Sequence, residues 1–520
     1  MGNVIVGEGF HALPHIKLST IGKEITKEVG LKMKKSGILM HITSLPSPYG
    51  VGTLGKCAME FVDFLCEGGQ SYWQILPLGP TGYGDSPYQS FSTFAGNPYL
   101  IDLDLLIEQD LLKKEEVLSI DWGDNSEIDF EFLYYNRFPL LNKACINLWE
   151  NKKDAITQFC EKNSSWVYDY ALFMALKQYF NGISWFKWND KLRFREKKEL
   201  DFWKNKLSKE IKCWLGIQYL FFNQWINLKD YANSKGVSII GDLPIYVSSD
   251  SVDVWANPKL FQLDENLTPT FVAGCPPDAF SDDGQLWGNP LFNWDEMVKD
   301  KYLWWIYRIK YQCEMFDLLR IDHFRGFEAY YSIPYGEKTA QNGKWCKGPA
   351  IDFFDEVNQS IGKQNIIAED LGLLTKEVKD MLEYTKYPGM KVLQFAFDSV
   401  DGGGYLPKDY PENCIAYIGT HDNNTIIGWL NEISEEKQNK VLDYLDIPTD
   451  NNMAIMAKLW ESKANLTIVL MQDLLNLDGN ARMNTPSTLG ENWKWRILPN
   501  KYDKNLARKL KEQMILYKRI

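Results

Sequence analysis

The sequence predicts an α/β protein built on a (β/α)8 TIM barrel with helical and loop insertions. Short apolar runs recur along the chain, each ends at a glycine, a proline or a polar residue, and segments of helical character separate them. This alternation is typical of parallel strands joined by helices. The candidate strands cover residues 37–42, 72–76, 237–240, 318–321, 365–368, 391–397 and 415–418. Seven or eight such units suggest a barrel, and we expect no separate C-terminal β-sandwich domain.

Residues 1–32 are expected to form an N-terminal extension outside the barrel domain, which we assign to residues 33–520. The extension holds one apolar run, Val4-Ile5-Val6, and an early Glu8. It has no small-residue cleavage site, so it does not match a secretory signal. Met33 stands directly before the first strand and is a candidate start.

The first strand is followed by a predicted helix, because Phe61, Phe64 and Leu65 recur at helical spacing between residues 53 and 69. Residues of about 104–230 are mainly helical in pattern and rich in Trp, Tyr and Lys, which indicates an inserted helical subdomain. Trp185 and Trp188 in this region could stack on a ligand or fill its core, and core packing is the simpler interpretation. Residues 249–294 and 331–353 are rich in Gly, Pro, Asn and Asp and predict long loop insertions of the kind that usually serve function.

Composition excludes several classes of protein. The formal net charge of −12 argues against a nucleic-acid partner, since phosphate backbones are held by clustered Lys and Arg. The nine cysteines include no Cys-x-x-Cys pattern, so we expect a reducing cytoplasm. Apolar runs are far shorter than the ~20 residues that span a bilayer, so no membrane partner is expected. The aromatic content of 14%, with 19 Trp and 27 Tyr, suits stacking on sugars as well as large cores.

Four predicted strands end in a carboxylate: Asp242, Asp322, Glu369 and Asp422. In a (β/α)8 barrel the working residues lie at the C-terminal ends of the strands, so these side chains should share one rim. Asp242 or Asp422 alone could be a helix N-cap. Arg320 and Asp322 alternate onto the same face of one strand, and that pair taken alone is either a structural ion pair or part of a catalytic site. Four carboxylates on one rim favour an active site.

Carboxylates on one rim can bind a metal or perform acid/base and nucleophilic chemistry. The chain has five histidines and no His-x-His on its first strand, which disfavours a catalytic metal. Glu369 follows Ile-Ile-Ala, an apolar setting that would raise its pKa, whereas Asp322 beside Arg320 should stay ionised. Two carboxyls shifted in opposite directions would suit glycosidic bond cleavage. His323 and His421 could donate to sugar hydroxyls or be packed against carbonyls.

Eight separated motifs, in order, resemble glycoside hydrolase family 77, the amylomaltases or disproportionating enzymes of the alpha-amylase clan. They are ILMHITSLP at 38–46, WQILPLGP at 73–80, GDSPYQS at 84–90, GDLPIYV at 241–247, GQLWGNP at 284–290, RIDHFRG at 320–326, AEDLG at 368–372 and GTHDN at 419–423. The resemblance runs from about residue 37 to residue 499. It implies the same barrel that the strand pattern predicts.

The resemblance assigns a role to each carboxylate. It implies that Asp322 is the nucleophile, Glu369 the general acid/base and Asp422 the carboxylate that stabilises the transition state. The residues it implies for substrate binding are Tyr88, Ser86, Asp242, Asp278, Gln285, Trp287, Arg320, His323, His421 and Asn484. One departure is Ala279, where some members carry Tyr in a loop near the acceptor groove, so acceptor preference is not carried over.

The resemblance also implies an activity: a 4-alpha-glucanotransferase that moves a segment of an alpha-1,4-glucan to the 4-hydroxyl of an acceptor. The mechanism would be retaining, through a covalent glycosyl-enzyme intermediate, with no metal and no organic cofactor. The expected partners are alpha-1,4-glucans and maltooligosaccharides. A plain alpha-glucan hydrolase and a non-catalytic glucan-binding protein are the alternatives, and the presence of all three carboxylates disfavours the second.

Overall fold

The structure is a computed structural model that describes residues 34–277, 282–372, 374–397, 404–447 and 451–520. The predicted extension, residues 1–32, lies outside these ranges. Eight parallel strands form the central sheet: β1 (Lys35–Leu39), β2 (Tyr72–Gln74), β3 (Ser238–Pro244), β6 (Leu318–Asp322), β9 (Ile366–Ala368), β10 (Gly389–Val392), β11 (Cys414–Tyr417) and β12 (Leu466–Leu470). Their order is β10-β11-β12-β1-β2-β3-β6-β9. The backbone N–H of Ala368 donates to the carbonyl of Pro388, just before β10, and so joins the two end strands into a barrel.

The strand register brings the strand ends that carry the predicted site residues level with one another. Asp242 of β3 lies opposite Arg320 of β6, and Ile321 of β6 lies opposite Ala368 of β9. Because all eight strands are parallel, their C-terminal ends meet at one rim.

Apolar side chains fill the barrel interior, as they do in other barrels of this size. This inner cluster includes Leu39, Leu76, Ile240, Leu318, Ile367, Met390, Val392, Ile415, Tyr417, Leu466, Ile468 and Leu470. All four residues of β11 and all five of β12 are buried, as expected for strands covered on both faces.

Helices surround the barrel. Those before β3 are α1 (Lys56–Glu67), α2 (Leu103–Glu108), α3 (Lys114–Leu118), α4 (Phe130–Asn151), α5 (Lys153–Lys162), α6 (Val167–Tyr179), α7 (Asp190–Arg193), α8 (Lys197–Lys206) and α9 (Ser208–Ser234). Those after β3 are α10 (Val252–Ala256), α11 (Trp294–Met297), α12 (Leu303–Met315), α13 (Ala350–Ile361), α14 (Lys376–Thr385), α15 (Ile426–Glu432), α16 (Glu435–Leu445), α17 (Asn452–Glu461), α18 (Met471–Leu474) and α19 (Lys504–Leu516). The predicted helix between residues 53 and 69 is confirmed as α1. Within the described ranges, no helix has both the length and the apolar run needed to cross a bilayer.

The region between β2 and β3 contains helices α2–α9. Trp185 and Trp188 are both buried there, at 0% and 5% exposure, which confirms the core-packing interpretation of these two rings. The long helix α9 contacts α4, α5, α6 and α8 of this region and also α1 and β3 of the barrel. It therefore connects this helical region to the barrel wall.

A second sheet lies within the two stretches that we predicted to be irregular loops. It is antiparallel and contains β4 (Phe271–Cys275), β5 (Gln285–Pro290), β7 (Ala329–Pro334) and β8 (Lys344–Lys347) in the order β5-β4-β7-β8. The irregular prediction was wrong for these segments. Their glycines and prolines hide the strand pattern, and β4 pairs with β7, far away in the sequence, which local composition does not show.

Two of the barrel predictions also need correction. The strand predicted over 391–397 ends at Val392, and Leu393–Phe397 forms a 3-10 helix. β12, with the sequence LTIVL, is an additional strand that we did not predict. Residues 471–520, which follow it, form α18, a 3-10 turn at Gly479–Ala481, α19 and irregular segments.

Candidate active site

The centre of the rim is an ion-pair network around Arg320 of β6. Its Nη1 donates to both carboxylate oxygens of Asp242 at 2.7 Å, and its Nη2 donates to Oδ1 of Asp322 at 2.9 Å. The hydroxyl of Tyr88 donates to Oδ2 of Asp242 at 2.6 Å. The side chains of Arg320 and Asp242 are 4% and 0% exposed, whereas that of Asp322 is 29% exposed. Asp322 is thus the member of the network that reaches the cleft.

Glu369 follows β9 and faces the same segment. Its Oε2 accepts a hydrogen bond from the backbone N–H of His323 at 2.7 Å, and its Oε1 accepts one from the N–H of Leu371 at 2.8 Å. The backbone N–H of Glu369 donates to the carbonyl of Ile321, and its carbonyl accepts from the N–H of Phe324. Three of these four bonds, those with Ile321, His323 and Phe324, fix Glu369 relative to the end of β6.

Burial raises the pKa of both carboxyls. The pKa of Glu369 rises to about 7, with Asp322 adding to the rise, while Arg320 and the two backbone donors oppose it. Burial also raises the pKa of Asp322 to about 6, where Arg320 opposes the rise and Asp242 and Asp422 add to it. We predicted that the pKa values of the two carboxyls shift in opposite directions, and this was wrong for Asp322. Arg320 is paired with two aspartates, and its lowering of the Asp322 pKa is smaller than the rise that burial causes. Glu369 keeps the higher pKa of the two.

Asp422 follows β11 on a polar loop. Its Oδ1 accepts from Nδ2 of Asn484 at 2.6 Å, and its Oδ2 lies 3.4 Å from Nε2 of His421. Its side chain is 44% exposed, so a large part of it faces the cleft. Asn484 comes from the loop after β12, and its own N–H donates to the carbonyl of His421. The loops after β11 and β12 therefore meet at Asp422.

Aromatic rings border the carboxylates. Tyr88 stacks on His421 with ring centroids 5.2 Å apart and an interplanar angle of 14°. On the other side of the site, Trp287 of β5 contacts His323 edge to face at 4.8 Å, and its indole N–H donates to Oε1 of Gln285. Rings of this kind can pack against the apolar faces of sugars.

His323 occupies an unusual position next to the nucleophile candidate. It adopts a left-handed backbone conformation, with φ of 54°, and burial lowers its pKa to about 3. Within the described part of the chain, its Nε2 has no hydrogen-bond partner. A neutral ring nitrogen held in a strained loop at the cleft is suited to a polar ligand.

The remaining predicted residues fall in two groups. The hydroxyl of Ser86 accepts from the backbone N–H of Tyr88 and so lies in the same loop as that ring. Asp278 and Ala279 lie outside the described residues. Of the ten predicted binding residues, the structure therefore places nine around this rim.

Three further residues contribute to the site and were not predicted. Trp493 lies 5.8 Å from Tyr88 and 6.0 Å from His421 between ring centroids. Tyr246 lies 6.1 Å from Trp287. Arg482 donates to the backbone carbonyls of Asp422 and Asn484. Tyr246 belongs to the GDLPIYV motif and could have been found there, whereas no motif or spacing pointed to Trp493 or Arg482.

Comparison with known proteins gives a consistent picture. The sequence profile described as 4-alpha-glucanotransferase, glycoside hydrolase family 77, matches residues 40–501. The 4-alpha-glucanotransferase of Clostridium butyricum is 50% identical over 485 residues, which cover 92% of this chain and 100% of that protein. The enzyme of the same name from Thermus thermophilus is 44% identical over 89% of this chain and 94% of its own length.

Solved structures agree with the sequence relatives. The amylomaltase of Streptococcus agalactiae, determined in complex with acarbose, superposes with a TM-score of 0.91 at 43% identity. The match covers 94% of this chain and 99% of that structure. The chain belongs to glycoside hydrolase family 77, the 4-alpha-glucanotransferases.

Proposed function

We propose that this enzyme transfers segments of alpha-1,4-glucans between maltooligosaccharides by a retaining mechanism in which Asp322, Glu369 and Asp422 are the catalytic residues. The observation that carries the proposal is the arrangement around the end of β6. Asp322 is held at 2.9 Å by a buried arginine, and Glu369 is fixed by the N–H of the very next residue, His323. The two carboxyls are thereby held at the same end of β6, and their pKa values of about 6 for Asp322 and about 7 for Glu369 favour an ionised nucleophile and a protonated acid at a pH between these values.

In the first step, Asp322 attacks the anomeric carbon of the donor while Glu369 gives its proton to the glycosidic oxygen. The bond between the anomeric carbon and the glycosidic oxygen breaks. The shortened glucan leaves with a new 4-hydroxyl, and the rest of the donor stays as an ester on Asp322. A carboxyl with a pKa of about 7 can hold this proton near neutral pH. Asp422, whose Oδ1 is already bonded to Asn484, is placed to bind sugar hydroxyls as the ring becomes positively charged.

In the second step, the 4-hydroxyl of an acceptor glucan gives its proton to the Glu369 carboxylate and attacks the same carbon. Asp322 is released, and the two inversions leave the anomeric configuration unchanged. For transfer to prevail, the acceptor must reach the ester before water does. We propose that residues 249–294 and 331–353 cover the cleft for this purpose, since they contain the second sheet with Trp287 on β5.

We assign the other predicted residues to binding and support. Tyr88, Trp287, His323 and His421 are proposed to contact the donor sugar, and Ser86, Asp278, Gln285 and Asn484 the flanking units. Asp242 differs from this group, because it is fully buried and its oxygens accept from Arg320 and Tyr88. We therefore propose that Asp242 orients those two residues and does not bind sugar directly.

The test is incubation of the protein with maltotriose and chromatography of the products. Transfer predicts glucose together with a ladder of maltooligosaccharides longer than the substrate. Hydrolysis by the same barrel would give only shorter sugars, and a glucan-binding protein without activity would give none. A product mixture without any chain longer than maltotriose would contradict the proposal.

A matched pair of variants tests the assignment of the nucleophile. Asp322→Asn keeps the shape of the side chain but removes its nucleophilic charge, and it should abolish the ladder. Asp380→Asn, on the exposed face of α14, should leave the rate unchanged. Parental turnover by Asp322→Asn would remove Asp322 from the nucleophile role.

We also propose how the chain is organised and where it works. Residues 33–520 form one catalytic barrel domain, with an inserted helical subdomain over about 104–230, and residues 1–32 are an extension dispensable for activity. A reducing cytoplasm suits the nine cysteines, since they include no Cys-x-x-Cys pattern. Deletion of residues 1–32 should leave kcat unchanged, and its loss would contradict this division.

A further inference from the structure

Arg482 lies directly after the 3-10 turn at Gly479–Ala481 and contacts both the loop that carries Asp422 and the loop that carries Asn484. Its Nη2 donates to the backbone carbonyl of Asp422 at 2.6 Å. Its Nε donates to the backbone carbonyl of Asn484 at 2.9 Å. From the loop after β12, one planar guanidinium thus bonds to the main chain of its own loop and to that of the loop after β11.

These two carbonyls belong to the two residues that are joined by a side-chain hydrogen bond, from Nδ2 of Asn484 to Oδ1 of Asp422 at 2.6 Å. The N–H of Asn484 also donates to the carbonyl of His421. The side-chain bond needs the two backbones at a fixed separation, and Arg482 donates to a carbonyl of each. The direction in which the Asp422 carboxylate points therefore depends on Arg482.

Arg482 also lies near Glu432, the last residue of α15. Its Nη1 lies 4.0 Å from Oε1 of Glu432, and that oxygen accepts a hydrogen bond from Nδ2 of Asn424 at 2.6 Å. Nε and Nη2 of Arg482 therefore donate to the loop carbonyls, while its Nη1 is attracted to the Glu432 carboxylate. A fork of this geometry is available to arginine but not to lysine.

We propose that Arg482 is a positioning residue for the transfer reaction: it fixes the Asp422 carboxylate at the transition state without touching the substrate. This inference rests on the proposed role of Asp422. Small misplacements of a reacting or charge-stabilising group are expensive, since a shift of 1 Å can reduce a rate by roughly 100-fold. Removing the guanidinium should therefore affect the chemical step more than binding.

The experiment compares Arg482→Met, Arg482→Lys and Glu432→Gln with the parent enzyme in maltotriose disproportionation. Arg482→Met should lower kcat by roughly 10- to 100-fold, because the carboxylate loses its fixed position. KM should change by less than threefold, and the melting temperature should stay close to that of the parent. Arg482→Lys should recover part of kcat, since an ammonium can still reach one carbonyl. Glu432→Gln should have the smallest effect.

Arg508→Met is the control, because Arg508 is an exposed arginine on α19, a helix that packs against α1, and its side chain donates to Asn505 of the same helix. It should match the parent in kcat, KM and melting temperature. The proposal is overturned if Arg482→Met keeps kcat within twofold of the parent. It is also overturned if kcat falls only in proportion to the fraction of unfolded protein, which would mean a purely structural role.

The outcomes separate this inference from the proposed function. If the parent enzyme makes no ladder from maltotriose, the proposed function fails first. If the parent makes the ladder and Arg482→Met makes it equally fast, only the positioning role fails. Should Arg482→Met not fold, the kcat values of Arg482→Lys and Glu432→Gln test the proposal instead. If both variants have the kcat of the parent, the proposal is overturned.

Discussion

Nη1 of Arg320 lies 2.7 Å from both carboxylate oxygens of Asp242, inside a part of the rim where neither side chain is open to solvent. The same guanidinium bonds to Asp322 through its other terminal nitrogen. Asp242 therefore determines where Arg320 points, and Arg320 determines where Asp322 points. The nucleophile candidate is oriented by a residue on the neighbouring strand.

Asp242→Asn should destabilise the fold as well as lower activity. Breaking a buried pair leaves a poorly compensated charge, and Arg320 keeps only Asp322, so we expect the free energy of unfolding to fall by about 3 kcal/mol. Urea unfolding followed by tryptophan fluorescence measures it. As a control, Asp380→Asn removes the exposed pair with Lys376 and should cost less than about 0.5 kcal/mol. Equal stability of the two variants would contradict the anchoring role of Asp242.

Activity should show a bell-shaped dependence on pH. The reaction needs Asp322 ionised and Glu369 protonated, so activity should fall as the pH drops below about 6 and as it rises above about 7. The measurement is kcat/KM from pH 4.5 to 9 at constant ionic strength. A profile that stays flat from pH 7 to 9 would show that Glu369 does not act as the acid.

Asp473 of α18 should make stability depend on pH. Its Oδ1 accepts from the N–H of Ile426, burial raises its pKa to about 7, and within the described residues its Oδ2 has no partner. Because its pKa is raised in the folded state, Asp473 contributes stability at acid pH that is lost as the pH rises through about 7. At higher pH the folded protein must either ionise the buried carboxyl or keep it protonated, and both cost free energy.

Asp473→Asn should therefore reduce the loss of stability between pH 5 and pH 8. The reduction should be on the order of 2–4 kcal/mol, because one pKa unit corresponds to about 1.4 kcal/mol. Denaturant unfolding at the two pH values measures the difference between the variant and the parent. An identical pH dependence in both proteins would contradict the assignment.

Arg519 should stabilise the barrel without taking part in the reaction. Although it is the second-last residue, its side chain is fully buried and donates to the carbonyls of Lys35, Trp460, Ser462 and Ala464. Lys35 begins β1 and Ala464 precedes β12, whereas Trp460 and Ser462 lie at the C-terminal end of α17, so the side chain joins segments at the end of the barrel opposite the rim. Arg519→Met should lower the free energy of unfolding by roughly 3 kcal/mol, since buried carbonyls lose a charged donor.

The prediction also concerns kcat, since Arg519 should not take part in the reaction. The folded fraction of Arg519→Met should keep the parental kcat, in contrast to Arg482→Met, although both arginines bind backbone carbonyls. Thermal unfolding and active-fraction kinetics separate the two cases. A loss of kcat in fully folded Arg519→Met would show that the closed end of the barrel influences the rim.

The rim of carboxylates was predictable because a strand tip is a local pattern. Arg320 and Asp322 had to share a face of an extended segment, and Glu369 followed a short apolar run, as the carboxylates of the other predicted strands did. β12 was harder, since LTIVL runs directly into a helix and has no polar tip. A short apolar run of that kind cannot be told from a buried helical segment by its periodicity.

The electrostatics of the site and its support depend on contacts between distant segments. The sequence shows that Arg320 lies beside Asp322, but it does not show that Arg320 is also paired with Asp242. For this reason the direction of the Asp322 pKa shift was not predicted correctly. Arg482 was missed because its partners are backbone carbonyls, which carry no sequence signal. The antiparallel sheet around Trp287 was missed for a related reason, since its strands pair across loops of very different length.

The covalent role of Asp322 can be measured by trapping the intermediate. In Glu369→Gln, an alpha-maltotriosyl fluoride should still react, because fluoride leaves without a proton, whereas an acceptor can no longer be deprotonated. The glycosyl-enzyme should then accumulate, and mass spectrometry of a digest should find one maltotriosyl group esterified to the peptide that contains Asp322. A label on another residue, or fluoride release without any labelled peptide, would contradict a retaining mechanism through Asp322.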